Sequence, residues 1–342
     1  MLAAVDTAFN DNASISLGRH STSLAPSLCP ALYAKKSRRR TKYLAWQALG
    51  WSLIFKPLSG YWAQILEAKG GGNNALGLLF VNQEYARNSS AEGAHDIIIT
   101  WAARSAANGP WSVVNKPATP PTGDKRDFMS WAPYWHPDCS ETGNTTELPL
   151  EQVYSDCHLR PPGWGVQSRL PRCHRLHQPP EHVRRDLYNT LAFVITDNAT
   201  YADTVVNFID MWFLSPETGM KPNLDFAQMI RGVGRSKGSP TGVLDLKAMT
   251  KIASAVIVLC QMSAPQWTTG RDNGLNDWPR QYINWLETAE LAVVERGAPN
   301  NHGTFYFNQL GAIQLMVSDF EGAKDTIMDF LNGIYQGQIV SS

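Results

Sequence analysis

Leu244-Asp245-Leu246-Lys247-Ala248-Met249-Thr250-Lys251-Ile252-Ala253-Ser254-Ala255-Val256-Ile257-Val258-Leu259-Cys260-Gln261-Met262 decides how this chain is read. The run is long and strongly apolar, which predicts a helix. Working outward, the same character recurs at Trp278 to Glu295, Phe305 to Phe320 and Ala323 to Tyr335. Upstream, Tyr201 to Leu214 places Val205, Phe208, Ile209, Trp212 and Phe213 at helical spacing, and Ser215-Pro216-Glu217-Thr218-Gly219 ends it. Asp186 to Thr196 gathers Leu187, Leu191, Ala192 and Ile195 on one face, with Asp197-Asn198 as its break. Asp96 to Ala107 offers Ile98, Ile99, Trp101 and Ala102 to a core before Asn108-Gly109-Pro110 stops it. A short element is expected around Phe226 to Ile230, and no run alternates with the period of a strand for long. Repeated helices joined by short turns predict an all-α protein built from antiparallel hairpins.

The rest of the chain frames this helical part. Residues 1–90 read as an irregular or disordered N-terminal region: Ser-rich, then the basic run Lys35 to Lys42, then an apolar patch from Tyr43 to Phe55 and Gly70-Gly71-Gly72. Residues 91–342 form the helical domain, interrupted by an irregular insertion at 140–181 that carries prolines at 161, 162, 171, 179 and 180. Thirty basic residues balance thirty acidic ones, so the chain as a whole has no electrostatic footprint for nucleic acid or an anionic membrane. No apolar run is long enough for a transmembrane helix, and the N-terminus shows no ordinary signal peptide. The cysteines, Cys29, Cys139, Cys157, Cys173 and Cys260, are odd in number and form no Cys-x-x-Cys pair. Up to two disulfides fit an oxidising compartment, with the pairing open. Asn12, Asn88, Asn144 and Asn198 each open an Asn-x-Ser/Thr sequon, as in secreted glycoproteins. Cys157-His158, Cys173-His174, His177 and His182 carry zinc-ligand types without zinc-ligand spacing, so neither metal nor cofactor is expected.

Two stretches carry chemistry. Asn300-Asn301-His302-Gly303-Thr304-Phe305-Tyr306 sets an amide, an imidazole and a phenol just before a helical pattern, groups that bind an anion and move a proton near neutral pH. The plain alternatives are an N-capping role for Asn301 and a hydrogen-bonded core position for His302. Tyr306, about one turn beyond His302, is either packing or a hydroxyl near a ligand. The second stretch, Asp127 to Cys139, holds Trp131, Tyr134, Trp135 and His136, with Pro133 and Pro137 forbidding a regular helix. Those rings either plug the core beneath a stiff loop or line a sugar cleft.

The Met129 to Pro137 loop and Asn300 to Gln309, with Gly109 to Val113, Trp212 to Leu224 and Gly242 to Leu246, resemble successive blocks of the alginate lyase domain, in that family's order across residues 91 to 339 apart from an unmatched middle segment. The resemblance implies an α/α toroid of helical hairpins around a cleft. It also implies β-elimination on a uronate polymer such as alginate or glucuronan, an acidic polysaccharide as partner, and secretion. Asn301 would bind the uronate carboxylate and His302 would transfer the proton or neutralise charge, with Trp131, Tyr134, Trp135, His136 and Tyr306 as sugar contacts. The family's downstream segment bearing an Arg and a catalytic Tyr has no counterpart before Ser342, so the toroid is expected to be incomplete at its C-terminal end. An inactive carbohydrate-binding relative and a helical scaffold are the competing readings.

Overall fold

The structure is a computed structural model that describes residues 92–107, 111–133, 136–138, 158–160, 180–230 and 236–339. Nine α-helices are found among them: α1 (Glu92–Ala106), α2 (Pro180–Thr196), α3 (Ala199–Ile209), α4 (Met249–Gln261), α5 (Thr269–Thr288), α6 (Glu290–Arg296), α7 (Asn301–Met316), α8 (Phe320–Asn332) and α9 (Ile334–Ile339). The expected all-α architecture is what the described residues adopt. Helix α4 packs between α2 and α7, while α1 and α3 lie on α2, and α5 and α8 lie on α7. This layering of alternate helices explains the apolar run that opened the reading, since α4 is buried from Met249 to Cys260 with no solvated face.

Local chemistry fixes the helix ends. Asn198 caps α3 by accepting from Thr200 N at 3.0 Å, and Thr268 accepts from Arg271 N to start α5. The stretch expected as one helix from Trp278 to Glu295 is instead two. Helix α5 begins earlier, at Thr269, and Ala289 takes an extended conformation (φ −72°, ψ 136°) that separates it from α6. Likewise α3 does not continue as an α-helix to Leu214. Asp210–Leu214 widens into a π turn, closed by Ser215 N donating to Asp210 O at 2.7 Å. Arg271 holds that turn with a two-pronged grip on Asp210, Nε to Oδ1 at 2.9 Å and Nη2 to Oδ2 at 2.7 Å. The widened turn directs Trp212 and Phe213 inward, where Phe213 meets the edge of Trp278 at 4.7 Å.

Two pairs of short strands depart from the purely helical expectation. Strand β1 (Met129–Trp131) runs parallel to β4 (Phe226–Met229), and β2 (His136–Asp138) is antiparallel to β3 (His158–Arg160). The prolines that exclude a helix between 127 and 139 leave the chain extended, and extended segments satisfy their backbone groups by pairing. Trp101 also departs from expectation. Ile98 and Ala102 enter the core, but Trp101 is 43% exposed and stacks on Tyr188 at 6.2 Å. The basic run at 35–42, Cys157, Cys173, His174 and His177 lie outside the described residues, and His158 and His182 are described by their backbone alone.

Candidate active site

Helix α7 begins with the Asn-Asn-His stretch, and its cap is Asn300. The Asn300 backbone is extended (φ −116°, ψ −165°) and its side-chain oxygen accepts from His302 N at 2.9 Å. Asn301 is therefore the first helical residue, exposed, with no hydrogen bond from its side chain among the described residues. His302 is half-buried. Its Nδ1 lies 3.0 Å from Oε1 of Glu295, which is only 4% exposed on the last turn of α6. Burial pushes the Glu295 carboxyl up, and His302 opposes that rise. Glu295 Oε1 is itself buried with no hydrogen-bond partner among the described residues, so the contact is one of proximity, and Nε2 is the ring nitrogen that does not face the carboxylate.

The turn that carries these groups is tightly supported. A Cβ at Gly303 would fall 2.3 Å from Ala298 O and 2.4 Å from Ile334 Cδ1, so only glycine lets α7 close onto the preceding turn and onto α9. Gln338 of α9 donates through Nε2 to Asn300 O at 2.7 Å and accepts from Thr304 Oγ1 at 2.9 Å. Tyr306 corrects the sequence reading. It is fully buried, its hydroxyl donates to Leu286 O at 2.8 Å, and burial pushes its pKa up to about 12. Of the two roles left open for it, packing is the one it has.

The segment Pro240–Leu246, a 3₁₀ helix, joins this end of α7 to the aromatic stretch. Its Asp245 accepts from Ser130 Oγ of β1 and, at 2.8 Å, from Gln228 Nε2 of β4. Gln228 takes a left-handed backbone (φ 49°), a strained choice for a side chain this long. All of its polar groups are used: its N–H donates to Ser130 Oγ at 2.8 Å, its backbone oxygen accepts from Ser239 Oγ at 3.0 Å, and its Oε1 accepts from Thr241 Oγ1 at 2.9 Å. Asp245 keeps some surface at the side, yet it is set deeply enough that burial pushes its pKa up to about 6 against the opposing hydrogen bonds of Gln228 and Ser130. Two residues on, Lys247 is half-buried with Nζ 4.7 Å from the centre of the Phe305 ring. Burial lowers its pKa, with Asp245 acting the other way. Phe305 is one turn along α7 from Asn301 and His302, so a cation lies close to the motif.

The structure thus links the two stretches singled out in the sequence, through Ser130, Asp245, Lys247 and Phe305. Trp131 is partly buried on β1 beside Ser130. Tyr134 and Trp135 lie outside the described residues, and His136 is described only as backbone in β2. Glu295, Gln228 and Lys247 were missed. Gln228 lies in the short element at 226–230 and Lys247 directly after the Gly242 to Leu246 block, but nothing local marks a glutamate as a histidine's neighbour across a turn.

Comparison with known proteins bears on this geometry. The family model described as alginate lyase matches residues 112–341, which takes in β1, the Asp245 segment and the α7 motif. The chain belongs to the alginate lyase family. Among solved structures, it is similar to the crystal structure of an alginate lyase from Bacteroides ovatus, with 27% identity and a TM-score of 0.65. That alignment covers 75% of this chain and 64% of the other, so the chain spans a little under two thirds of that lyase. No curated protein gives a significant match. The family assignment agrees with the helical hairpins described above, and no helix among the described residues is long and apolar enough to cross a membrane.

Proposed function

We propose that this protein is a polysaccharide lyase that cleaves a uronate-containing polymer, alginate or glucuronan in type, by β-elimination. The observation that carries the reading is the division of labour at the start of α7. Asn300 takes the capping role, which leaves the Asn301 amide exposed beside a histidine whose Nδ1 lies 3.0 Å from a buried glutamate.

In this reading Asn301 donates through its amide to the uronate carboxylate, and the helix N-terminus favours the same negative charge. Lys247 adds positive charge from the neighbouring segment. His302 Nε2 takes the proton α to that carboxylate. The bond from C4 to the glycosidic oxygen breaks, a C4–C5 double bond forms, and the departing oxygen takes a proton from solvent. A positioned base contributes roughly 10²–10⁴-fold to such a step, and a donor aimed at the developing charge contributes a comparable factor. Trp131, Tyr134, Trp135 and His136 are proposed to flank the sugar chain. The disulfide at Cys260 supports a secreted protein.

Incubation with alginate and with glucuronan should produce the rising ultraviolet absorbance of an unsaturated uronate, and Asn301→Ala or His302→Ala should abolish it. No rise on any polyuronate sinks the reading. One observation favours an inactive, carbohydrate-binding relative instead: the phenols beneath the motif, Tyr306 and Tyr282, are fully buried with committed hydroxyls, so neither reaches a leaving oxygen. Polyuronate binding without product would select that alternative.

A further inference from the structure

We infer that Asn198 carries an N-linked glycan. Asn198-Ala199-Thr200 is an Asn-x-Thr acceptor, and the fold presents it at the junction of α2 and α3, where residues 196 to 200 are all exposed. The conformation suits the modification. Asn198 Oδ1 accepts from Thr200 N at 3.0 Å, so the amide oxygen and the hydroxyl-bearing residue are drawn together in an Asx turn, while Nδ2 makes no hydrogen bond among the described residues. The Thr200 hydroxyl is likewise uncommitted among them. Oδ1 does the capping and survives in a glycosylated asparagine, so a glycan on Nδ2 costs α3 nothing.

A second, independent observation sets the compartment. Cys260 is disulfide-bonded. Disulfides form where the lumen is oxidising, and in eukaryotic cells that is the lumen in which asparagine acceptors meet their transferase. The transfer balances without redox chemistry. Asn198 Nδ2 bonds to the anomeric carbon of an oligosaccharide, the bond from that carbon to a lipid pyrophosphate breaks, and the amide gives up one proton. The other acceptors, Asn12, Asn88 and Asn144, lie outside the described residues, so Asn198 is the acceptor for which both exposure and turn geometry are in view. Nothing in this inference depends on the lyase reading.

The test uses the full chain behind a secretory leader, translated with microsomes, in a background of Asn12→Gln, Asn88→Gln and Asn144→Gln. Only protease-protected chains are scored, so every scored molecule has entered the lumen. The expected result is a single step to lower gel mobility, that is to higher apparent mass, reversed by peptide N-glycosidase and absent in Asn198→Asp and Thr200→Ala. Asn198→Asp keeps the capping oxygen and removes only the acceptor amide, so its loss of the step cannot be assigned to a lost cap. Protected chains that run unmodified, or a step that survives Asn198→Asp, would overturn the inference.

Discussion

Gly303 shows how little slack the motif has. Its absent side chain is filled by Ala298 O and the end of Ile334, one a backbone atom that cannot move without moving the turn. Gly303→Ala should therefore cost about 1–3 kcal/mol of stability, read as a lowered thermal midpoint, and should displace His302. Glu295→Gln separates a positioning role from a structural one. The amide keeps the shape and removes the charge behind His302, so turnover of a polyuronate should fall roughly tenfold or more while the thermal midpoint stays near that of the parent. An equal loss of both would mean that Glu295 merely holds the fold. At this scale the sequence was informative about residue types and less so about roles. Asn301 and His302 were singled out because their neighbours form an ordered motif. That Asn300 is the cap depends on a backbone angle, and that Tyr306 points inward depends on where Leu286 O lies. Neither is written in the local order of residues.

The elements around Asp245 make a pH-dependent joint. β1, β4 and the Pro240–Leu246 segment meet on one carboxyl whose pKa rises from 3.8 to about 6. A raised acid binds its proton more tightly in the folded state, so the associated stability is present below pH ~4, falls as the pH climbs through about 6, and is absent above it. The size is on the order of 3 kcal/mol from the linkage relation. Thermal midpoints taken from pH 4 to pH 7 should decline through that window, and Asp245→Asn, which keeps an acceptor for Gln228, should flatten the decline. A wild-type curve that matches the variant's would refute the assignment. Element types were mostly legible from apolar spacing, while boundaries were not. The apolar residues of Trp278 to Glu295 continue in helical phase, and only the extended Ala289 backbone reveals two helices. The strands escaped notice because three or four residues are too few to display a period, and their pairing is set by distant partners.

At the scale of the whole molecule, Cys260, buried near the end of α4, is disulfide-bonded. Reduction, or Cys260→Ser, should lower stability by about 2–4 kcal/mol, seen as a drop in thermal midpoint on adding a thiol reductant. An unchanged midpoint would show that the tie constrains nothing in the folded domain. The hairpin architecture was legible as a whole because several of the helices expose a polar face that gives them a period. Helices α4 and, from Tyr306 to Gln314, α7 lack one, and the burial of α4 on every side has a consequence in time. Its amide hydrogens have no route to solvent short of opening the layers formed by α2 and α7. They should be the slowest in the protein to exchange with deuterium, and their common rate should report the free energy of global unfolding. The least polar stretch of the chain would then serve as an internal clock for the stability of the rest.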